Sequence, residues 1–125
     1  MYIFRTKPEH IEQVIATKKH ALEVNPKLQY GELVLISRTR DTADGKPPIR
    51  YVMRHSRTLP DLHDETVRIW GKKWPYIMEF ETCKELTPFD IKDVQVSAHN
   101  YGPGGPIVRV MPEDEYQIET LGLLK

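Results

Sequence analysis

Residues 31–37, GELVLIS, place the unbroken apolar run LVLI directly behind a glycine turn. A short continuous apolar run of this kind is typical of a strand that is buried on both faces. We therefore expect a central strand here, with Gly31 making the turn before it and the neighbouring segments completing a sheet.

The segments that follow predict two more strands. Residues 41–48, DTADGKPP, have the composition of a hairpin tip, and residues 49–58, IRYVMRHSRT, alternate apolar and arginine side chains as a strand does. Residues 74–86, WPYIMEFETCKEL, alternate again and form the next predicted strand. Residues 59–73 between them are polar and irregular, which predicts a long connection.

The beginning of the chain predicts a strand followed by a helix. Residues 2–6, YIFRT, are rich in β-forming side chains, and Pro8 suits the first turn of a helix. Residues 9–24 carry apolar side chains at mostly helical spacing, with Lys18 and Lys19 on the solvent side. We expect this amphipathic helix to end before Asn25-Pro26.

The last third of the chain predicts a short strand and a second helix. Residues 107–110, IVRV, follow a glycine-proline loop, and three acids follow Pro112 at the start of a helical pattern. Residues 90–100 fit either a short strand or a turn. One early helix, one late helix and strands of mixed connection predict a small α+β domain around a curved or closed sheet.

Composition limits the class of protein. The chain of 125 residues has the length of one domain, residues 1–125, and its 18 basic and 18 acidic side chains balance. Residues 1–60 nevertheless carry 11 Lys/Arg against 6 Asp/Glu, which predicts a basic face. The lone Cys83 excludes an internal disulfide, and no apolar run approaches the ~20 residues of a membrane span. We expect a soluble cytoplasmic protein without a membrane partner, as a monomer or weak homodimer.

The order of these segments resembles the PUA-like superfamily, and within it the small EVE-domain proteins, relatives of the YTH and ASCH domains. Three motifs support the likeness: WPY at residues 74–76, FDIKDV at residues 89–94 and PEDEY at residues 112–116. The resemblance implies a mixed barrel of five to six strands, flanked by an early and a C-terminal helix, that grips a modified base of DNA or RNA between aromatic side chains. Many EVE proteins carry a tryptophan on the first strand, where this chain has Tyr2 and Phe4. The connected ASCH signature of Gly, Lys, Glu and Arg is absent.

The segment IWGKKWPYIMEF, residues 69–80, contains both tryptophans and predicts a base-binding pocket. An unstacked base offers two π-faces and a hydrogen-bonding edge, so Trp70 and Trp74 are candidate walls. A core ring is the stronger alternative for Trp74, while for Trp70 the polar loop slightly favours the pocket. Further candidates for the pocket are Phe4, Ser37 and Asn100, although Asn100 also fits a turn without a ligand.

Basic side chains at strand ends and in loops are candidates for phosphate contacts. They are Arg38, Arg40, Arg54, Arg57, Lys72 and Lys73. A solvated surface is the commoner environment of each one taken singly, so the prediction depends on the group.

The chain lacks the spacings of a phosphate-binding P-loop, a zinc-binding H-E-x-x-H and a G-x-S-x-G nucleophile. We therefore predict no catalytic residue, cofactor or metal. The leading hypothesis is a nucleic-acid-binding module that recognises a modified base. The alternatives are a small hydrolase with Thr82, Lys84 and Glu85 in the pocket, or a protein-interaction domain that pairs through a strand edge at residues 49–57.

Overall fold

In the part of the chain that the structure describes, six strands form one curled, mixed sheet that is accompanied by three short helices. The computed structural model describes residues 1–38, 45, 47–90 and 107–120, without the side chains of residues 119 and 120. In chain order the elements are β1 (Tyr2–Thr6), α1 (Pro8–Thr17), β2 (Lys19–Leu22), β3 (Leu33–Arg38), β4 (Ile49–Pro60), α2 (Glu65–Trp70), β5 (Tyr76–Phe89), β6 (Ile107–Arg109) and α3 (Pro112–Thr120). The predicted α+β class with one curved mixed sheet is confirmed.

The sheet order is β2-β5-β4-β3-β1-β6. Strand β1 runs parallel to β3, whereas the pairs β1/β6, β3/β4, β4/β5 and β2/β5 are antiparallel. Helix α1 carries the chain from β1 to β2, which lies at the far end of this order.

The core confirms the prediction for GELVLIS. Val34, Leu35 and Ile36 are each 0% exposed, and β3 lies between β1 and β4. Leu35 packs among the apolar side chains of one face, while Val34 and Ile36 pack among those of the other. Alternation along an internal strand therefore supplies both faces of the sheet with apolar side chains.

The prediction of one helix over residues 9–24 is wrong in its second half. Helix α1 ends at Thr17, and Lys18 adopts the left-handed conformation with φ 54° and ψ 39°. The chain then forms β2, in which Lys19 pairs with Glu79 and Leu22 with Tyr76. Backbone pairing with β5 outweighs the helical spacing here, because tertiary contacts override a weak local preference.

The predicted irregular connection over residues 59–73 contains a helix that the sequence did not reveal. Asp61 accepts hydrogen bonds from the backbone N–H of Glu65, at 2.9 Å, and of Thr66, at 3.1 Å. These two bonds satisfy amide groups that have no partner within a first helical turn. The short helix α2 therefore begins from a buried carboxylate four residues upstream, and it carries Trp70 at its end.

The strand edge proposed for a protein partner is not exposed. Residues 49–57 lie in β4, which is hydrogen-bonded to β3 on one side and to β5 on the other. This form of the interaction-domain hypothesis is therefore wrong. The predicted hairpin tip lies largely outside the described residues, and residues 91–100 lie wholly outside them. The strand and helix predicted near the C-terminus are observed as β6 and α3.

Candidate functional site

A cavity of about 520 Å³ opens between β1, α1, β2 and the segment that follows α2. Its floor, which we call the cavity floor, consists of the buried Phe4, Thr6, Val14 and Leu22 together with the half-buried His20. The volume falls within the roughly 300–1,000 Å³ that small-molecule sites occupy. The cavity is therefore large enough to enclose a nucleobase.

The cavity floor forms where the curled sheet brings β1 close to β2. The Oγ1 atom of Thr6 lies 2.9 Å from Nε2 of His20, and the rings of Phe4 and His20 meet edge-on with centroids 5.4 Å apart. In the part of the chain that the structure describes, these two strands share no backbone pairing. Side-chain contacts therefore join β1 and β2 at the cavity floor, and the cavity opens above these contacts.

Burial controls the charge of the His20 ring. Burial is the largest effect and, together with a smaller effect of nearby His10, lowers the pKa of His20 to about 4, while the hydrogen bond to the Ala21 carbonyl opposes this shift. The Nδ1 atom of His20 lies 2.8 Å from that carbonyl oxygen. The cavity floor at neutral pH therefore contains a neutral imidazole held in one orientation.

The wall of the cavity is an aromatic corner made by Trp70 and Trp74. Their rings lie 6.2 Å apart at 77°, and His10 meets Trp74 at 86° with centroids 5.7 Å apart. Two nearly perpendicular rings cannot sandwich a base between parallel faces. They allow it to stack on one indole while its edge meets the other, an arrangement that aromatic groups favour.

A buried hydrogen-bond network holds this wall in place. The hydroxyl of Thr66 donates to Oδ2 of Asp61 at 2.6 Å and accepts from the backbone N–H of Trp74 at 3.0 Å. Burial alone would raise the pKa of Asp61, but the hydrogen bonds from Thr66, Glu65 and Lys73 outweigh it and hold the pKa well below its usual range. The carboxylate therefore stays ionised and fixes both ends of the segment that carries the tryptophans.

The charged side chains at the cavity opening are mostly basic. Arg5, Lys7 and Lys72 line it together with one acid, Glu23. The Nζ atom of Lys72 lies 4.9 Å from the centroid of the Trp74 ring, which is a cation–π distance. An anionic group that entered with a flat ring would thus meet positive charge beside the aromatic corner.

Some of the residues predicted for the site are brought together and others are not. Four of them line the cavity: Phe4, Trp70, Trp74 and Lys72. Ser37 is buried in β3 next to a shift in register with β4, and neither it nor Arg38 lines the cavity. Asn100 and Arg40 lie outside the described residues.

The remaining predicted phosphate contacts point to other partners. Arg54 donates to the Gly31 carbonyl at 3.0 Å, and Arg57 pairs with Glu79. Lys73 forms ion pairs with Asp61, at 3.2 Å, and with Asp64, at 3.0 Å. These side chains hold loops and strands together away from the cavity.

Sequence reasoning missed the polar part of the site. Thr6, His10 and His20 were not candidates, although alternation along YIFRT places Thr6 on the same face as Phe4 and could have identified it. The set proposed for a hydrolase, Thr82, Lys84 and Glu85, is exposed on β5 and does not line the cavity. Among the described side chains, no three His, Cys, Asp or Glu residues converge as metal ligands. No described helix is long and apolar enough to cross a bilayer.

Comparison with known proteins identifies the fold. No family model matches the chain, and no curated protein matches it in sequence. The crystal structure of ASCH from Zymomonas mobilis matches with a TM-score of 0.69 and 11% identity over 96% of this chain and 94% of that one. Two single-residue variants of the same protein match with TM-scores of 0.68 and 0.67, also at 11% identity. The chain therefore shares the α+β fold of this ASCH protein.

Proposed function

We propose that the cavity captures a single base of a DNA or RNA strand, and that the protein is a nucleic-acid-binding module. The observation that carries the proposal is the corner of Trp70 and Trp74 on the wall of a cavity of about 520 Å³ with basic side chains at its opening. A flat ligand that bears phosphate satisfies both features. The fold supports the proposal, because the PUA-like resemblance implies nucleic-acid recognition.

The energies favour capture by stacking. Contact of a base with an aromatic side chain contributes ~1–3 kcal/mol, and extruding a base from a duplex costs a few kcal/mol. One stacked indole therefore offsets a large part of that cost, and it offsets more for a base that is modified or already single-stranded. We accordingly expect single strands to bind more tightly than duplexes.

We expect the phosphates and the base of the ligand to contact different parts of the cavity. Lys7 and Lys72 are exposed and line the cavity, so we assign them the phosphates on either side of the captured base. The buried floor then contacts the base alone. A modified base suits this arrangement, because an added methyl group would enter apolar space formed by Phe4, Val14 and Leu22.

Tryptophan fluorescence tests the proposal. Short single-stranded and duplex DNA and RNA would be titrated at fixed salt, with 5-methylcytosine, 5-hydroxymethylcytosine or N6-methyladenine against unmodified controls. We expect saturable quenching, and a loss of affinity of about tenfold in Trp70→Leu, because ~1–3 kcal/mol of stacking disappears. Val67→Ala is the matched control, since Val67 lies on the exposed side of the same helix. Equal affinity in both variants would contradict the cavity assignment.

One contact favours the hydrolase as a second candidate function. Thr6 Oγ1 and His20 Nε2 lie 2.9 Å apart, as a nucleophile and its general base do, and the Ala21 carbonyl orients the ring. The lowered pKa of His20 makes the imidazole a weak base at neutral pH, so binding is the better supported function. Incubation with acylated nucleosides and mass spectrometry of the products decides between them: deacylation that Thr6→Val abolishes would establish the hydrolase.

A further inference from the structure

We infer that the backbone N–H of Ala21 reads the captured base by donating to a ring nitrogen on the inserted edge of that base. The inference rests on the proposed capture of a base, and it names the group that selects among bases. It follows from the register of β2 against β5 and from the place of β2 at the edge of the sheet.

The register shows which backbone groups of β2 are bonded to β5. The amide of Phe80 donates to the Lys18 carbonyl at 2.9 Å, so these two opposed residues form a hydrogen-bonded pair. In an antiparallel ladder, hydrogen-bonded pairs alternate with pairs that exchange no backbone bond. Ala21 lies opposite Ile77, three positions along the strand from Lys18. Ala21 and Ile77 are therefore a pair that exchanges no backbone hydrogen bond.

The bonds on the other side of β5 agree with this alternation. The amide of Asp61 donates to the Pro75 carbonyl at 2.9 Å, at the end of the ladder between β4 and β5. Two positions further along, Leu59 and Ile77 are the next hydrogen-bonded pair of that ladder. The backbone groups of Ile77 thus face β4, and those of Ala21 face away from β5.

The side of Ala21 that β5 leaves open belongs to the cavity. In the part of the chain that the structure describes, β2 is an edge strand of the sheet, and Ala21 lines the cavity. The Ala21 carbonyl lies 2.8 Å from Nδ1 of His20, and because a carbonyl only accepts, the ring donates to it. Among the described residues no side chain accepts from the amide of Ala21. This N–H is therefore the donor that the edge of β2 presents to a ligand.

A base that enters with its sugar outward presents its Watson–Crick edge to the inside of the cavity. On this edge a ring nitrogen lies beside an amino group, as N1 does in adenine and N3 in cytosine. The ring nitrogen can receive the N–H of Ala21, and the amino group can donate to the second lone pair of the Ala21 carbonyl. The base then pairs with β2 as a further strand would.

This pairing specifies which modifications the cavity accepts. A methyl group on C5 of cytosine leaves the paired edge unchanged. A methyl group on the ring nitrogen removes the acceptor and leaves the N–H of Ala21 unpaired in a site that the ligand has closed to water, which is unfavourable. We expect bases of the second kind to be rejected.

Two isomeric ligands give the sharpest test. The ligand is a short single strand in which one adenine lies among abasic sites, so that only one base can enter the cavity. In 1-deazaadenine a C–H replaces the nitrogen of the inserted edge, whereas 3-deazaadenine has the same change beside the glycosidic bond. Isothermal titration should show about tenfold weaker binding of the 1-deaza strand than of the 3-deaza strand, the usual effect of one unpaired buried donor. Replacing N3 of cytosine by C–H gives a parallel comparison.

Hydrogen exchange of single amides, followed by NMR, observes the donor directly. In the free protein the amide of Ala21 should exchange faster than those of His20 and Leu22, whose pairs with β5 are hydrogen-bonded. The adenine strand at saturation should slow the exchange of Ala21 by about tenfold or more, and the 1-deaza strand at equal occupancy should not. Slow exchange of Ala21 in the free protein would overturn the inference.

Variants of Ala21 locate the discrimination. Ala21→Pro removes the N–H, and proline is tolerated on an edge strand where the N–H faces away from the partner strand. The adenine strand should then bind about tenfold more weakly, and the difference between the isomers should disappear. Ala21→Gly keeps the N–H and is the matched control, which should preserve the difference. Circular dichroism would verify that each variant is folded, and the exchange experiment decides without any variant.

The outcomes separate the two proposals. Equal binding of the two isomers by the wild-type protein would overturn the inference and leave base capture intact. A difference that persists in Ala21→Pro would also overturn it. No binding of the adenine and cytosine strands would overturn it as well, and base capture would fall with it only if the oligonucleotide titration described above also showed no quenching.

Discussion

At the scale of single residues, His20 connects the site to the stability of the fold. Its pKa is about 4 in the folded protein and about 6.5 in an unfolded chain. Between pH 4 and pH 6.5 the unfolded chain binds more protons than the folded protein does. The stability that neutral His20 contributes is therefore fully present above pH 6.5 and is lost as the pH falls toward 4. The full effect is at most about 3 kcal/mol.

Urea unfolding at pH 7.5 and pH 5.0 tests this prediction. The free energy of unfolding of the wild-type protein should fall by roughly 1–2 kcal/mol from pH 7.5 to pH 5.0, because pH 5.0 still lies above the folded-state pKa of His20. His20→Gln, which does not titrate, should lose less. His63→Gln, at an exposed position between β4 and α2, should behave like the wild type. An equal loss in His20→Gln would show that other groups carry the pH dependence.

The residues of the site also show what a sequence reveals about a pocket. Trp70 and Trp74 were predicted because large aromatic side chains near basic residues suggest stacking whatever their exact placement, and Phe4 because the resemblance implies an aromatic ring on the first strand. Thr6 and His20 were not, because their contact joins two different strands and residues 14 positions apart in sequence. Alternation along β1 places Thr6 on the same face as Phe4, but no local pattern indicates that His20 lies opposite it.

At the scale of elements, the boundary between α1 and β2 shows where local patterns fail. Helical spacing continues through Leu22, yet the chain turns at Lys18 and then pairs with β5. The strand predictions succeeded because continuous or alternating apolar runs match burial in a sheet, as in β3. The helix prediction failed at β2 because the partner strand β5 lies more than fifty residues further along the chain, where Glu79 pairs with Lys19.

The left-handed Lys18 predicts a stabilising substitution. A residue with a Cβ atom pays an energetic penalty at φ 54°, whereas glycine does not, so Lys18→Gly should raise the free energy of unfolding by about 0.5–1 kcal/mol. Thermal unfolding followed by circular dichroism measures this effect. Ala16→Gly, two residues earlier on an exposed helical position, should instead lower stability by about 1 kcal/mol. A loss of stability in both variants would contradict the role assigned to the turn.

The start of α2 gives a second prediction at this scale. Asp61→Ala removes the acceptor of the Thr66 hydroxyl and of two backbone amides, so we expect a loss of about 3 kcal/mol in urea unfolding. Because the folded-state pKa of Asp61 is lowered, its contribution is present above pH 4 and is lost only below it, in a different range from His20.

The neighbouring Asp64 is the matched control for this experiment. It is exposed and pairs with the same Lys73, so Asp64→Asn, which suits the left-handed backbone at φ 55°, removes only a surface ion pair and should cost less than 1 kcal/mol. The indole corner depends on the Thr66 bond to Trp74, so Asp61→Ala should also change the tryptophan emission spectrum. Similar stability of the two variants would show that the buried network does not anchor α2.

At the scale of the whole molecule, the balanced charge means that net charge does not attract nucleic acid to this protein. The chain has no net charge, and we expect its electrostatic preference for nucleic acid to come from the basic side chains that line the cavity: Arg5, Lys7 and Lys72. Each phosphate contact on a single strand contributes about −0.7 to the slope of log K against log salt. Three contacts therefore predict a slope no steeper than about −2.

Titration of a single-stranded oligonucleotide between 50 and 200 mM salt measures this slope. Lys7→Gln and Lys72→Gln should each make it shallower by about 0.7 and weaken binding uniformly across sequences. Arg57→Gln is the control, since Arg57 pairs with Glu79 and does not line the cavity. A slope near −4, or a change in Arg57→Gln equal to that in Lys7→Gln, would mean that the strand follows the arginines of β4. An unchanged slope in Arg57→Gln would instead confine the phosphate contacts to the opening beside Trp74, where the captured base would lie.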